Sequence, residues 1–495
     1  MAHKQILFRS AAREKILRGA TQLADAIRVT LGARSKSVLI ERKWGAPVVC
    51  NDGVTIAKEF DLSFARRALE LHARYRGKVA MQAKVPVGGA DDLAVWYSPG
   101  VAEPCRAIAA DPETAFTYTN RGNTVAIVSD GSRVLGLGDI GPEAGLPVME
   151  GKALLFKLFG GVDAVPLCIR ARQPADIVRA VEMIEPTFGG INLEDIAQPK
   201  CFAVLDEARR RASIPVWHDD QQGSATVVLA ALLAAAQIVD KPVERMRIVL
   251  FGIGAANVAT YRLLTAYGLD PKAIVAVDTQ GILHPGRGDI EHRREQFVDK
   301  WKICLNSNGD NRHGEPELAF DGADACIAFS RSGPDVIRPG WIGRMAGDAV
   351  VFACANPVPE IWPHVAREAG ARIAATGRSD FPNQVNNSLV FPGVFRGVLD
   401  VRARTISDRM AIAAAQELVA AARQRGLGPD RLLPTMDDWT VAARVAAATG
   451  AAAVAEGVAR NPMSRDDLER LALDTIGRSR AAVERLVEAG LIDAL

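Results

Sequence analysis

The chain has 495 residues, of which 48% are hydrophobic and 24% are charged, and its net charge is +2. These values are ordinary for a globular protein of two or three domains, and the small net charge gives no sign of a nucleic-acid partner. Seven cysteines without a CxxC pair favour free thiols in a reducing compartment, the cytoplasm, over disulfides or a zinc site. We expect neither a secretory signal nor a membrane span, because charges interrupt the N-terminus and the longest apolar run, residues 225–239, is short.

The first 62 residues differ from the rest in charge, with 11 basic against 6 acidic side chains, a net charge of +5. A helical pattern from Ala11 to Leu31 is followed by an extended run, Ser37–Glu41. Residues 17–62 resemble the N-terminus of a group I chaperonin equatorial domain, but the phosphate loop and the other domains of that family are absent. We therefore expect no chaperonin activity. The head is an oligomerisation arm, a poorly ordered appendage or a fusion artefact.

Two pairs of carboxylates follow two apolar runs in the middle of the chain. Phe188–Leu193 precedes Glu194 and Asp195, and Ile214–Trp217 precedes Asp219 and Asp220. A helical pattern separates the runs, which predicts a strand–helix–strand unit with both pairs at the carboxyl ends of the strands, where parallel sheets bind ligands. Oxygen ligands of this kind suit Mg²⁺ or Mn²⁺. One acidic pair alone is more often simply solvated, and the matching positions of the two favour a metal site.

A second α/β unit follows at residues 247–278, with the turn Gly252-Ile253-Gly254-Ala255-Ala256-Asn257 between a predicted strand, Arg247–Phe251, and a helix that runs to Tyr267. This is a dinucleotide fingerprint in which Asn257 replaces the last glycine. Gly252 and Gly254 let the backbone approach a pyrophosphate at the helix N-terminus. Asp278 ends the next strand, Ala273–Val277, and could accept a hydrogen bond from a ribose 2′-hydroxyl, which is a mild preference for NAD over NADP.

Further runs extend this unit and then give way to helices. Strands are predicted at Ala323–Phe329, Ala349–Ala353 and Arg372–Ala375, and helices at Ile406–Arg425, Trp439–Ala459 and Arg465–Ala489. The fold class is therefore α/β: an N-terminal α/β substrate and metal domain and a Rossmann-type dinucleotide-binding domain, with C-terminal α-helices.

An ordered set of motifs between residues 63 and 405 resembles the short bacterial malic enzymes. It includes VWYSPGVAEP, PVMEGKALLFK, INLEDI, HDDQQGSA, FGIGAAN, CANPVPE and TGRSDFPNQVNN. The resemblance implies a substrate and metal domain at residues 63–222, an NAD(P)-binding domain at 223–400 and a helical segment at 401–495. It also implies divalent-metal-dependent oxidative decarboxylation of malate by a homodimer or a larger homo-oligomer in the cytoplasm, with no membrane partner.

The resemblance also assigns roles to the candidate residues. Tyr97 is the general acid and Lys152 the general base, although by sequence alone a turn-flanking tyrosine and an exposed lysine are the ordinary interpretations. We expect a helix to begin at Gly151, so that the helix dipole and burial lower the pKa of Lys152 toward neutrality. The metal ligands are Glu194, Asp195 and Asp220, and Asp219 orients them or the lysine.

Three further residues are candidate substrate contacts. Arg133 could grip a carboxylate with its guanidinium fork, or could be a surface arginine on a hairpin. By sequence alone, an Asn-Pro turn is the favoured interpretation of Asn356 and an N-cap is the ordinary one for Asn387. The resemblance makes both substrate contacts, and Asn356 is expected to face the cofactor as well. Two rival functions stay open: decarboxylation of malate without net redox or of oxaloacetate alone, and a non-catalytic, chaperonin-derived assembly subunit.

Overall fold

The computed structural model describes residues 65–493 and, before them, the backbone of two short antiparallel strands, β1 (Val38–Ile40) and β2 (Val48–Cys50). The other features predicted for residues 1–62 lie outside the described residues. Residues Gln82–Val483 form one compact unit, which carries every predicted site residue. The other unit consists of the described residues before Gln82 and after Val483, and in it the helix α1 (residues 65–75) carries Arg74, paired with Asp493 at 2.6 Å.

The larger unit begins with three helices and a parallel sheet. The helices are α2 (Ala90–Trp96), α3 (Ala102–Ala110) and α4 (Ala115–Tyr118). The strands are β3 (Thr124–Ser129), β4 (Asp163–Cys168), β5 (Gly190–Leu193) and β6 (Val216–His218). They lie in the order β4–β3–β5–β6, all parallel, so their carboxyl ends share one edge of the sheet.

Parallel strands need long crossover connections, and here helices provide them. They are α5 (Gly141–Leu155), α6 (Pro174–Ile184) and α7 (Lys200–Arg211). Strands β3 and β5 are buried along their whole length, which explains why they read as continuous apolar runs rather than alternating patterns.

A long apolar helix, α8 (Ser224–Ile238), leads out of the first sheet. Together with the turn before it, the stretch Asp219–Ile238 is long and apolar enough to cross a membrane, but 72% of its apolar window is buried inside the protein. This burial is that of a core helix, and it agrees with the buried helix predicted for residues 225–239.

The second sheet has the order β12–β11–β10–β7–β8–β9, in which only β9 is antiparallel. Its strands are β7 (Ile248–Phe251), β8 (Ile274–Asp278), β9 (Gly281–Ile282), β10 (Ala325–Ala328), β11 (Val350–Ala353) and β12 (Ile373–Thr376). Its helices are α9 (Ala255–Tyr267), α10 (Gly288–Glu291), α11 (Val298–Asn306), α12 (Pro339–Ile342) and α13 (Pro363–Glu368). The strands predicted between residues 188 and 376 are confirmed, with ends that differ by at most two residues.

Four helices complete the chain. They are α14 (Phe391–Asp400), α15 (Asp408–Gln424), α16 (Thr440–Ala455) and α17 (Arg465–Glu488). Helix α14 is buried along most of its length, and its Phe391 and Phe395 rings lie 4.7 and 5.2 Å from the ring of Phe156, just after α5. The helical C-terminal segment is therefore part of the core that supports the first sheet.

Candidate active site and metal centre

Three carboxylates converge at the carboxyl edge of the first sheet. Glu194 and Asp195 directly follow β5, and Asp220 lies in the π-helical turn that follows β6. One oxygen from each lies within 4.8 Å of the others. The backbone of Asp195 has φ +54°, a conformation that is uncommon for a residue other than glycine, and strain of this kind clusters at functional sites. The structure thus brings together the three side chains predicted as metal ligands.

The electrostatics of this cluster fit a cation. Burial, followed by repulsion from Asp220, raises the pKa of Asp195 to about 8. Burial also raises the pKa of Glu194 well above its usual range, although Lys152 opposes the shift. The Oδ2 atom of Asp195 is buried and has no hydrogen-bond partner among the described residues. A hard divalent cation among these oxygens would satisfy that atom and offset the repulsion.

Lys152 reaches the same edge from helix α5. Its Nζ donates to Asp219 Oδ2 at 2.5 Å, lies 2.9 Å from Glu194 Oε1 and sits 4.3 Å from the centroid of the Phe391 ring. The side chain is 9% exposed, so this is a buried ammonium held between two carboxylates above an aromatic ring.

Two expectations about Lys152 were wrong. The helix begins at Gly141, not Gly151, so Lys152 lies in its last turn, where a positive charge favours the helix dipole. Burial does lower the pKa of Lys152, but attraction to Asp219 and then to Glu194 outweighs it, and the pKa is raised rather than lowered. The helix continues through Pro147 and Gly151 because Met149 and Ala153 pack into the core.

Several residues that support the site were not predicted. Trp217 Nε1 donates to Asp219 Oδ1 at 3.2 Å, and Asn192 Nδ2 donates to Glu194 Oε2 at 2.8 Å, so each carboxylate beside Lys152 is held by a second donor. A Cβ at Gly223 would lie 1.9 Å from Asp219 Oδ1, so only glycine fits there. The HDDQQG motif contains this glycine, but its necessity depends on a close approach that spacing does not reveal.

Each of the three candidate substrate contacts adjoins a segment of the site. The backbone N–H of Arg133 donates to the Asp195 carbonyl at 3.0 Å. The charge of the exposed Arg133 side chain partly opposes the rise in the pKa of Asp195. The loop that carries Arg133 meets Asn356, since a Cβ on Gly136 would lie 2.9 Å from the Asn356 carbonyl oxygen. Asn387 adjoins Gly223, with its Cβ 3.2 Å from where a Cβ on that glycine would lie.

Tyr97 has a different environment. It caps the C-terminus of α2, and its side chain is 75% exposed. The structure brings the predicted base and metal ligands together, and within the described residues the hydrogen bonds, ion pairs and ring contact of Lys152 involve two carboxylates and Phe391 and not Tyr97.

The dinucleotide turn has the expected form. Gly252 adopts φ +86°, and a Cβ there would lie 2.6 Å from the Phe329 carbonyl oxygen, so a glycine is required. Gly254 precedes α9, and a Cβ at Gly254 would meet nothing within 4 Å, which leaves open space above the helix N-terminus. Asn257, the last residue of the fingerprint and therefore also expected to bind the cofactor, has a fully buried side chain. It donates to the carbonyls of Phe251 and Gly252 at 3.1 and 3.0 Å, so it holds the turn and does not reach the cofactor.

Asp278 ends β8 as predicted, but its carboxylate already accepts hydrogen bonds from other residues of the chain. Oδ1 accepts from the Gln280 N–H at 2.9 Å and from Arg287 Nη1 at 3.0 Å. Oδ2 accepts from Arg287 Nη2 at 3.2 Å and from Lys300 Nζ at 3.1 Å. A carboxylate has about four acceptor positions, so a ribose hydroxyl would have to displace one of these donors. In addition, the positive charges of Arg287 and Lys300 offset the negative charge of Asp278.

The family models that match this chain describe the two sheets separately. Residues 76–174 match the malic enzyme N-terminal domain, and residues 221–313 and 370–455 match the malic enzyme NAD-binding domain. The chain is 45% identical over 399 residues to the bifunctional malic/malolactic enzyme of Bacillus subtilis, covering 81% of this chain and 95% of that protein. It is 44% identical over 412 residues to the NADP-dependent malic enzyme of Halomonas elongata, covering 80% of this chain and 94% of that one.

Solved structures agree. The malic enzyme of Entamoeba histolytica is 43% identical, with a TM-score of 0.84 over 87% of this chain and 90% of that one. The malic enzyme of Pyrococcus horikoshii is 46% identical, with a TM-score of 0.82 over 86% of this chain and 99% of that one. With the ordered motifs, the two sheets and the converging carboxylates, these similarities establish that the chain belongs to the malic enzyme family.

Proposed function

We propose that this protein oxidises and decarboxylates malate to pyruvate and CO₂ and reduces NAD or NADP. The observation that carries the proposal is the buried Lys152, held by Asp219 and Glu194 beside a carboxylate cluster that fits a divalent cation. This reaction needs a general base, a set of metal ligands and a turn that binds a nicotinamide cofactor, and this one chain contains all three. Relatives named NAD-dependent and NADP-dependent malic enzymes support it.

Glu194, Asp195 and Asp220 would hold Mg²⁺ or Mn²⁺. When bound, such a cation supplies Lewis-acid chemistry, polarising the substrate oxygen at which negative charge develops. The side chains themselves keep the site rigid: Asn192 fixes Glu194, and the Asp195 N–H donates to Asp220 Oδ2 at 2.9 Å. The orphaned Oδ2 of Asp195 is the atom that most needs a ligand.

Lys152 would take the proton from the C2 hydroxyl of malate, and a bound nicotinamide cofactor would supply the hydride acceptor. To act as a base it must first release its own proton, and Asp219 Oδ2 at 2.5 Å is within reach. Burial raises the pKa of Asp219, which makes that carboxylate a competent acceptor. Asp219 is thus a positioning and proton-accepting partner of Lys152.

Arg133, Asn356 and Asn387 would bind the two carboxylates of malate. An exposed guanidinium next to Asp195 suits a bidentate carboxylate contact, and the amides at the ends of two further segments suit its remaining oxygens. The assignment is supported by the position of these three residues beside segments of the site.

The cofactor preference follows from the charges at Asp278. A free carboxylate there would repel a 2′-phosphate and favour NAD, as the sequence suggested. Arg287 and Lys300 offset that charge, so we propose that NADP is accepted as well as NAD. This is a proposal about selectivity between two cofactors and leaves the reaction unchanged.

A rival function has one specific point in its favour: the Bacillus subtilis relative is named a malic/malolactic enzyme, so malate decarboxylation without net redox is the second candidate. Initial rates with malate, each cofactor in turn, and Mn²⁺ against an EDTA control separate the two. NAD(P)H forming in step with pyruvate supports the proposal. Lactate formed from malate without NAD(P)H contradicts it.

The head, residues 1–62, lies before both matched family regions. We propose that it takes no part in catalysis and that its chaperonin-like sequence does not make the chain an assembly subunit. A cytoplasmic location is also part of the proposal, supported by cysteines without disulfides in the described residues.

A further inference from the structure

Glu360 is a buried carboxylate that none of the steps above uses. It lies in the loop after β11, and its side chain is fully buried. Its Oε1 accepts from the Ser330 N–H at 2.7 Å and from the Ser330 hydroxyl at 3.0 Å, and its Oε2 accepts from the Ala355 N–H at 3.0 Å. Burying a carboxylate is unfavourable unless donors replace the lost water, and here three donors from two separate segments do so.

The first of these segments lies against the dinucleotide turn. Ser330 follows β10, which pairs with β7, and the N–H of Phe329 donates to the carbonyl of Phe251, the last residue of β7, at 3.0 Å. A Cβ on Gly252 would lie 2.8 Å from the Ser330 Cβ. The position of Ser330 therefore limits the position of the turn expected to bind the cofactor.

The second segment carries a candidate substrate contact. Ala355 directly precedes Asn356, and a Cβ on Gly136 would lie 2.9 Å from the Asn356 carbonyl oxygen. Gly136 belongs to the loop of Arg133, whose N–H donates to the Asp195 carbonyl. This segment therefore contacts the loop that adjoins the metal ligands, and Glu360 links it to the segment beside the dinucleotide turn.

Other hydrogen bonds join the same two segments without the carboxylate. The Ser332 hydroxyl donates to the Val358 carbonyl and accepts from the Val358 N–H, both at 3.0 Å. The Ile337 N–H donates to the Glu360 carbonyl at 3.0 Å. These bonds do not use the Glu360 side chain, so they should keep the segments together when that side chain is changed. What the carboxylate adds is the link between Ser330 and Ala355.

We propose that Glu360 is a positioning residue for the oxidation of malate, because its carboxylate fixes the segment beside the dinucleotide turn relative to the segment that carries Asn356. This inference rests on the proposed function. The oxidation moves a hydride from C2 of malate to a bound nicotinamide and the hydroxyl proton to Lys152, which leaves oxaloacetate. The reacting atoms must lie about 3–3.5 Å apart, and an error of about 1 Å costs up to about 100-fold in rate. Glu360 acts through Ser330 and Ala355 and takes no part in the transfer itself.

Glu360→Gln is the first test, because it keeps the length of the side chain but turns one acceptor oxygen into an NH₂ group that faces a donor. We expect kcat to fall by about 10- to 100-fold, while KM for malate and for NAD changes by less than about threefold. The deuterium isotope effect with malate labelled at C2 should rise, because hydride transfer becomes slower relative to the other steps. A wild-type kcat, or a lower kcat with an unchanged isotope effect, would overturn the proposal.

Amide hydrogen exchange of the protein without substrate measures the link independently of activity. In Glu360→Gln, exchange should become faster in residues 329–333 or in residues 354–358, whichever segment faces the new NH₂ group. Exchange that stays as slow as in the wild type in both segments would contradict the role given to Glu360.

Asp324→Asn is the matched control. Asp324 is also a buried carboxylate of this sheet and accepts from a backbone N–H, that of Arg247 at 2.7 Å, but it precedes β10 and so lies at the opposite edge. The isotope effect and the exchange of residues 329–333 and 354–358 should not change in this variant. If they change as in Glu360→Gln, the effect is a general loss of stability and the proposal is wrong.

Ser330→Ala decides the question if Glu360→Gln does not fold. It removes one of the three donors to Glu360, so kcat should fall by about fivefold, the usual effect of one hydrogen bond. A wild-type kcat in that case would overturn the proposal. If the wild-type enzyme forms no NAD(P)H from malate, the proposed function fails, and the exchange experiment still decides whether Glu360 links the two segments.

Discussion

Lys152 and Asp219 form a buried ion pair in which Nζ lies 2.5 Å from Oδ2, between a helix of the first sheet and the turn after β6. Contacts with neighbouring residues hold both side chains in place. Asp219 is held by Trp217 and by the space that Gly223 leaves, and Lys152 rests on the ring of Phe391. The position of the Lys152 amine therefore depends on the residues that surround it, and changing those residues should change catalysis.

Asp219→Asn should lower kcat by about 10- to 100-fold, the usual effect of losing a residue that orients a catalytic group. It should also move the pH profile. Because Asp219 raises the pKa of Lys152, its removal lowers that pKa, and the acidic limb of kcat/KM shifts to lower pH. Lys157→Ala, at an exposed lysine in the turn after α5, is the control and should leave both unchanged. An unshifted acidic limb in Asp219→Asn would contradict the pairing.

Gly223→Ala should disturb the same pair without touching either charge. The new Cβ would lie 1.9 Å from Asp219 Oδ1, so Asp219 must move and release Lys152. We expect a loss in kcat of about tenfold or more, with a smaller change in KM for malate. Gly151→Ala is the matched control, because a Cβ there meets nothing within 4 Å and alanine favours the helix. Equal rates for the two variants would show that the space at Gly223 does not matter.

Without a bound cation, stability should fall as the pH rises from about 4 to about 8. Burial raises the pKa of Asp195 to about 8 from its ordinary value of 3.8, so the folded state holds a proton that the unfolded state releases across that range. The destabilisation is on the order of several kcal/mol and is complete above the folded pKa. Thermal unfolding in EDTA at pH 5 and pH 8 measures it. Asp195→Asn should reduce the dependence without abolishing it, because burial also raises the pKa of Glu194, and a wild-type Tm that is equal at both pH values would exclude the effect.

Much of this site could be predicted because parallel strands place their carboxyl ends at one edge, so that Glu194 and Asp220, far apart in sequence, had to meet. What failed depended on tertiary packing. Gly151 signals a helix start locally, yet the buried Met149 and Ala153 carry α5 past it. The pKa of Lys152 depends on Asp219, which spacing alone does not place within hydrogen-bond distance. The exposure of Tyr97 is likewise a property of the folded chain, not of its motif.

Lys300→Ala should separate the two cofactors. Its Nζ lies 3.1 Å from Asp278 Oδ2, and removing it leaves one cation fewer to offset that carboxylate or to meet a 2′-phosphate. We expect kcat/KM for NADP to fall by about tenfold, because one charge-assisted contact is lost, while kcat/KM for NAD changes by less than about twofold. Lys302→Ala, on the same helix, serves as the control. A parallel loss with both cofactors would mean that Lys300 supports the fold of α11 and does not select the cofactor.

Deleting residues 1–62 should leave kcat and KM for malate unchanged. The matched family regions begin at residue 76, and all predicted site residues lie within the compact unit Gln82–Val483. The oligomeric state should not change either, and light scattering of the protein before and after truncation checks this alongside the initial rates. A truncated enzyme that forms a smaller oligomer with intact secondary structure would assign the basic head a role in assembly. One that keeps its oligomeric state but loses turnover would assign the head a role in the catalyst. Because neither the carboxylate cluster nor Tyr97 lies in the head, we expect neither result.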